Sequence, residues 1–401
     1  MCLNIKRWFL RRGDEIIYNN EAIRVLCIFG TRPEATKMAP LIKKMQESQQ
    51  IEVIVCVTAQ HRQMLDQVLD IFEITPDYDL DIMQENQAIA DVTSRVLAGV
   101  MDVIKKSACD LVLVHGDTTT TFAAGLAAFY SGVLLGHVEA GLRSFNKREP
   151  FPEEINRRLV SVMADLNFAP TQTSRANLLK EGICCDDIFV TGNTTVDLMQ
   201  YTTRPDYRFK TEALNSISHK NRRIITMTAH RRENYAEPLE NICRAALRLV
   251  RDFEDVDIVY PVHLAPAVRK IVFEILGNNK HIHLIDPLDV EDLHNLMSKS
   301  FMVLTDSGGL QEEAPVFKKP VLVLRNVTER PEGIETGCLV LAGVDENHIY
   351  ELAAKLLTSS DEYRKMANAK YPFGDGKASE RIVSAILYRF GKIAAPLADF
   401  E

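Results

Sequence analysis

From residue 22 onward the chain alternates short, almost wholly apolar runs with stretches of helical period, and this alternation limits the fold more than any other feature. IRVLCIFG leads into TKMAPLIKKMQ, IEVIVCVT into a stretch carrying Met64, Leu65, Val68 and Leu69, LVLVHGD into TTFAAGLAAFYSG, and VLLGHVEAG into EEINRRLVSVMADL. Strands apolar on both faces need cover on both, and strands separated by helices pair in parallel, so the pattern predicts a doubly wound α/β domain. It restarts with RRIITMTAH, a helix from Pro238, VDIVYPVH, HIHLID, FMVLTDSGG, PVLVLRN and CLVLAG, which predicts a second such sheet. The polar segment YTTRPDYRFKTEALNSISHKNRR reads as the connection between them. The expected division is an extension over 1–22, one domain over 23–195, a second over 196–375, and a closing helix within 376–401.

A chain of 401 residues has room for two such cores. Its formal net charge of -8 argues against nucleic acid or an anionic membrane as the main partner, so any anion site must be local. The eight cysteines show no CxxC spacing and mostly sit in apolar runs, which reads as buried thiols of a reducing compartment. Near the N-terminus the longest apolar run is Trp8, Phe9 and Leu10, too short for a signal-peptide core or a membrane span. A cytoplasmic protein is expected.

Ligands of open parallel sheets bind beyond the carboxyl ends of the strands, and this chain repeatedly sets polar residues there. Arg32 and Lys37 follow IRVLCIFG, Asp117 follows LVLVHG, Glu139 follows VLLGHV, His230 follows IITMTA, His263 follows IVYPV, and Asp306 and Ser307 follow FMVLT. Plainer readings stand beside these. Asp117 before TTTT serves equally as a helix cap, worth roughly 1 kcal/mol. Glu139 closes an apolar strand, where a lone buried carboxylate is costly, so it needs Arg143, a solvent-filled cleft or a ligand. Glu153 and Glu154 follow Pro152 at a helix start, where the dipole stabilises carboxylates, and structure alone accounts for one of them.

GTRPEATKMAP and TDSGGLQEEAP each put a tight turn before a helix N-terminus, a setting that suits phosphate as well as it suits a plain turn. Glu313 lies just after Ser307, Gly308 and Gly309, placed for ribose hydroxyls, and Arg330 in TERPEG adds a cation. Together they describe a nucleotide with a diphosphate. HIH at 281–283 sets two imidazoles on one strand face with no third ligand in view, which reads as a strand end, and no metal is expected.

GTRPEATKMAP, HGDTTTTFAAGLAAF, HVEAGLRS with PFPEEINRRL, TAHRREN, PVHLAP, DSGGLQEEAP and NVTERPEG, in this order, resemble the non-hydrolysing UDP-N-acetylglucosamine 2-epimerases. The resemblance implies two Rossmann-like domains of the GT-B type, the active site in the cleft between them, a C-terminal helix returning to the N-terminal domain, and in most members a homodimer. It implies interconversion of UDP-N-acetylglucosamine and UDP-N-acetylmannosamine without a cofactor, by elimination of UDP to a 2-acetamidoglucal and its re-addition, in the service of surface polysaccharide synthesis. By motif position Asp117, Glu139 and Glu153 match the acidic catalytic residues and His230 the active-site histidine near the diphosphate. Arg32, Lys37, Ser307, Gly308, Gly309, Glu313 and Arg330 match the nucleotide-sugar set. The arginines of residues 137–166 would hold the carboxylates in place.

Some bacterial members bind a second substrate molecule as activator. Gln60, Gln63 and His263 match that site, but Asn86 stands where its arginine would be, which puts activation in doubt. The same fold and cradle would serve a hydrolysing epimerase, a GT-B glycosyltransferase or a nucleotide-sugar-binding regulator. The paired carboxylates Asp117 and Glu139 and the full HVEAGLRS to PFPEEINRRL tract favour the non-hydrolysing epimerase, and Asp117, Glu139, Glu153 and His230 argue against a pure binder, which has no need of proton-transfer groups.

Overall fold

The protein is described here from a computed structural model that covers residues 22–58, 62–82, 87–217, 222–328 and 330–401, without the side chains of 62–64 and 232. The expected N-terminal extension, save its last residue, lies outside these. The chain divides into two units, the first reaching Tyr201 and resuming at Gly374–Glu401, the second spanning Thr202–Phe373.

Among the described residues the first unit holds seven strands: β1 (Ile23–Phe29), β2 (Ile51–Val57), β3 (Tyr78–Asp79), β4 (Leu111–His115), β5 (Leu134–Val138), β6 (Leu166–Ala169) and β7 (Ile188–Val190). They pair in parallel in the order β3-β2-β1-β4-β5-β6-β7. Leu26, Ile28, Val112 and Val114 pack under Val96 and Val100 of the helix Ile89–Ser107 and under Ala123, Ala124, Ala127 and Ala128 of the helix Thr119–Ser131. The small alanines let that helix lie close to the sheet, and burial on both faces explains why β1 and β4 carry no polar alternation.

The order reverses between β1 and β4. The chain leaves β1 toward β2 on one side and returns to place β4 on the other, so the loops after β1 and β4 part and leave a crevice. Gly30 opens the loop after β1, where a Cβ would stand 2.1 Å from Thr58 Oγ1 and 2.8 Å from Thr120 Oγ1. Only glycine fits so close an approach.

The second unit repeats the plan with β8 (Arg223–Thr228), β9 (Val256–Pro261), β10 (Ile282–Ile285), β11 (Met302–Thr305), β12 (Val321–Val323) and β13 (Leu339–Leu341). Their order is β10-β9-β8-β11-β12-β13, again all parallel, with the reversal between β8 and β11. Its main core sets Ile225, Met227, Ile258 and Tyr260 against Leu239, Ile242, Ala246 and Leu249 of the helix Glu237–Asp252.

The polar segment read as a connection is folded. Tyr207, Phe209, Leu214 and Ile217 pack on Ile224, Val259, Leu288 and Leu296, and Asp292 accepts hydrogen bonds from Tyr207 Oη, Lys210 N and Thr211 N at 2.9–3.0 Å. The closing helix Ala378–Arg389 packs on the helix Arg32–Gln46, its first turn held by Asp197, which accepts from Ser379 N at 2.7 Å and Ala378 N at 3.2 Å. Cys27, Cys56, Cys109, Cys243 and Cys338 are buried as expected, but Cys184 and Cys185 are exposed, because they sit in the turn before β7 rather than in a strand. Among the described residues no helix is long and apolar enough to cross a membrane.

Candidate active site

At the first reversal the functional side chains are set by strand ends and helix starts. Thr31, extended at φ -120° and ψ 159°, begins the helix Arg32–Gln46. Glu34 folds back beneath it: Oε2 accepts from Gly30 N (3.1 Å), Thr31 N (2.8 Å) and Thr31 Oγ1 (2.8 Å), while Oε1 meets Thr118 Oγ1 (2.7 Å) and Thr121 Oγ1 (3.0 Å). Thr118 caps the helix that follows β4, accepting from Thr121 N at 3.1 Å. One carboxyl group thus joins the loop after β1 to the loop after β4.

Asp117 precedes that cap. Arg157 donates to its Oδ2 through Nε at 3.1 Å and through Nη2, and Asn156 Nδ2 donates to its backbone oxygen at 2.9 Å. The capping oxygen belongs to Thr118, so the Asp117 carboxylate, about a quarter exposed, is not used as the cap. Arg157 in turn donates Nη1 to buried Glu154 at 3.2 Å, and Glu154 accepts from Ser144 N and Phe145 N at 3.0 and 3.1 Å. Glu154 is therefore the structural member of the adjacent pair. Among the described residues the partly exposed Glu153 carboxylate has no hydrogen-bond partner.

Glu139 follows β5 in the left-handed region at φ +67°, a conformation that side-chain-bearing residues adopt at a cost. Its Oε2 accepts from Lys37 Nζ and from Asn193 Nδ2 at 3.0 Å, with buried His115 Nε2 at 3.9 Å. The partner considered from the sequence, Arg143, points elsewhere: its fully buried guanidinium binds Glu181 at 2.7 and 3.0 Å. Lys37, expected from the sequence in the nucleotide-sugar set, pairs here with Glu139. Arg32, one position into the helix, has no acidic partner among the described residues.

In the second unit Asp306 holds the corresponding place. Wholly buried after β11, it accepts from His230 N (2.8 Å), Arg231 N (2.8 Å) and Asn234 Nδ2 (3.0 Å), all of the loop after β8, and His230 Nδ1 lies 3.5 Å from its other oxygen. His230 stacks on His263, rings 5.3 Å apart and 9° from parallel. Burial holds the His230 imidazole below its ordinary range, outweighing Asp306. His263 Nδ1 accepts from Ala265 N at 3.1 Å. Gln60 and Asn86, and the side chain of Gln63, lie outside the described residues.

Ser307, Gly308 and Gly309 open the short helix Gly308–Glu313, where a Cβ on Gly309 would lie 3.6 Å from Glu313 Oε1. Glu313 Oε2 lies 3.5 Å from Nε2 of the buried His294. Arg330 donates Nε to buried Glu312. At the edge strand, His281 and His283 both reach Asp257, at 2.9 and 3.4 Å, and Arg222 Nε lies 2.8 Å from the same carboxylate, so an arginine stands where a cation would.

Sequence reasoning missed Glu34, Asn193 and Glu312, whereas Arg157 is one of the arginines of 137–166 expected to hold the carboxylates and does so for Asp117 and Glu154. The T-x-x-E spacing of Thr31 and Glu34 is a capping box and could have found the first, and Arg157 lies one helical turn beyond Glu153 and Glu154. Asn193 is 54 residues from Glu139 and leaves no local sign.

Residues 43–387 match the profile of the UDP-N-acetylglucosamine 2-epimerase family. The chain is 54% identical over 369 residues to the UDP-N-acetylglucosamine 2-epimerase of Bacillus subtilis (strain 168), spanning 92% of this chain and 96% of that one. Against the enzyme of that name from Escherichia coli (strain K12) the identity is 46% over 369 residues, spanning 91% and 98%. The solved structure of UDP-GlcNAc 2-epimerase from Neisseria meningitidis bound to UDP-GlcNAc matches with a TM-score of 0.84 at 46% identity, covering 91% of this chain and 100% of that one. S. aureus MnaA with UDP matches at 0.87 and 49%, covering 94% and 100%. The two parallel sheets of seven and six strands are the fold shared with these structures.

Two buried histidines at the first reversal make the fold acid-sensitive. Burial pushes His115 down to about 4 and His137 down to about 3, the latter donating Nε2–H to Gly116 O at 2.7 Å. Below about pH 6.5 the unfolded chain takes up protons these rings refuse in the folded state, so stability is full above that pH and falls toward pH 4. Urea midpoints should drop between pH 7.5 and pH 5, with about 2 kcal/mol lost per histidine, and His115→Gln should flatten the slope. A level profile across that range refutes the assignment.

Proposed function

Given that the chain belongs to the UDP-N-acetylglucosamine 2-epimerase family, we propose that it interconverts UDP-N-acetylglucosamine and UDP-N-acetylmannosamine without hydrolysis. The C2 proton of the sugar is not acidified by a neighbouring carbonyl, so its removal is coupled to departure of the C1 substituent. A carboxylate takes the proton, the C2–H electron pair forms the C1–C2 double bond, and the C1–O pair leaves on UDP. In the return step a phosphate oxygen of UDP attacks C1 of the 2-acetamidoglucal, and a carboxylic acid protonates C2 on the opposite face. The product then serves surface polysaccharide synthesis.

The observation that carries this reading is the arrangement around Gly116. A Cβ there would lie 3.7 Å from Glu139 Oε1, and Asp117 is the next residue, so two carboxylates occupy neighbouring strand ends while each is fixed by its own cation, Lys37 or Arg157. Held carboxylates with separate counter-ions suit proton transfer in either direction, and Glu153 adds a third that has no hydrogen-bond partner among the described residues. Arg32 supplies an uncommitted cation for the departing diphosphate, and the Ser307, Gly308 and Gly309 turn, Glu313 and Arg330 hold the nucleotide. His230, kept neutral in the free protein, donates or accepts a hydrogen bond beside the phosphates.

The test is proton NMR of UDP-N-acetylglucosamine with the purified protein in deuterated water. UDP-N-acetylmannosamine should form, with C2 deuterium in both epimers. Free N-acetylmannosamine and UDP would mark a hydrolysing enzyme, and an unchanged spectrum with demonstrable binding would mark a transferase or regulator. In the same assay Asp117→Asn and Glu139→Gln should keep UDP affinity and lose at least about a hundredfold in turnover, whereas Arg32→Ala should weaken UDP binding. Near-normal turnover in both carboxylate variants removes them from the chemistry.

We further propose that two copies associate. Ile155, Leu159 and Val162 form an exposed i, i+4, i+7 stripe on the helix Glu153–Met163, Val162 at 71% exposure, and the adjoining helix Thr119–Ser131 exposes Phe129 and Tyr130. Such a patch gains by being covered. Light scattering on a sizing column should give the dimer mass, and Val162→Glu should shift it toward monomer; a wild-type monomer at micromolar concentration refutes this.

A further inference from the structure

Glu34 is 2% exposed, and the proposed reaction gives it no task. Its partners are two backbone amides and three hydroxyls, with no cation among them in the described residues, whereas Asp117, Glu139 and Glu154 each have one. A buried carboxylate without a counter-ion is costly even when hydrogen-bonded.

The hydrogens around Oε1 can be counted. Four oxygen–oxygen contacts meet here: Glu34 Oε1 to Thr118 Oγ1 (2.7 Å), Glu34 Oε1 to Thr121 Oγ1 (3.0 Å), Thr118 Oγ1 to Thr121 Oγ1 (3.0 Å), and Thr121 Oγ1 to His115 O (2.6 Å). The carbonyl only accepts, so the single Thr121 proton goes to it along the shortest contact. The single Thr118 proton fills one more. A proton on Oε1, donated to Thr121, fills a third, while Oε2 keeps its three donors. Burial pushes the Glu34 carboxyl up in the same direction, against the pull of the hydroxyls and of Gly30 N.

We propose that Glu34 is a positioning residue, a neutral acid that clamps the turn bearing Lys37 to the turn bearing Asp117 and so sets the relation between Asp117 and the Lys37–Glu139 pair. Glu34 lies one helical turn before Lys37. A neutral group there leaves the lysine's charge to Glu139, and the Thr118 end fixes the residue next to Asp117. The clamp rests on the epimerase reading for its catalytic meaning, but its protonation does not.

The experiment uses the full chain, Glu34→Gln and Glu34→Ala. Glutamine copies the neutral acid: a carbonyl oxygen for Gly30 and Thr31, and an N–H for Thr121. At neutral pH the infrared difference between wild type and E34Q should show the carbonyl stretch of a protonated carboxyl group. E34A should bind UDP within about twofold of wild type, yet lose at least about tenfold in kcat per UDP-binding site, with KM little changed, as expected when reacting groups are misplaced. E34Q should recover most of that kcat. Absence of the protonated band overturns the neutral acid. An E34A kcat per UDP-binding site equal to wild type, or an E34Q no better than E34A, overturns the clamp. A wild type that binds UDP but turns nothing over refutes the reaction and the positioning role with it, while the infrared band still decides whether Glu34 carries a proton.

Discussion

A buried acid at each sheet reversal is what the rest of the structure depends on. Glu34 joins the loops after β1 and β4, and Asp306 joins the loops after β8 and β11, each collecting amide and hydroxyl or side-chain amide donors that would otherwise be left unpaired inside the protein. An orphaned buried donor costs about 1–3 kcal/mol, so either acid secures several times that amount. These loops carry Arg32 and Asp117 in one unit and His230 and Ser307 in the other. Reversal makes the crevice, and the acid keeps its two walls in register.

Around that frame, charge is settled locally. Lys37 and Arg157 each take one carboxylate of the first unit, and Glu154 uses the far side of Arg157 to tie down residues 144 and 145. Asp117 and Glu139 therefore each stand against a counter-charge supplied by the protein. In the second unit Glu312 anchors Arg330 through Nε, which orients a long flexible side chain. Ion pairs of this kind contribute less to stability than to where the charges stand.

All six strands of the second sheet can be read from the chain as apolar runs, and four of the seven in the first. The other three fail for physical reasons. β3 is two residues long, β7 three, and β6 reads LNFA, its buried Asn167 breaking the apolar signal. The polar segment at 201–223 hides four core side chains because they stand singly, each separated by polar neighbours that face water. Site residues at strand ends are legible because topology puts function there. Their partners are not, since Lys37 and Glu139 are 102 positions apart and nothing local announces the pairing.

Glu139 has a further consequence through its backbone. At φ +67° a residue with a side chain sits about 1–2 kcal/mol above glycine's cost for the same shape. Glycine at that position would relax the turn, but it would also delete the carboxylate and remove the counter-charge of the nearly buried Lys37 ammonium, a loss of about 3–5 kcal/mol that outweighs the relief. A library screened for heat resistance alone would thus keep an acid at 139 or exchange it together with Lys37, so the two positions would vary as a pair, 102 residues apart in the chain.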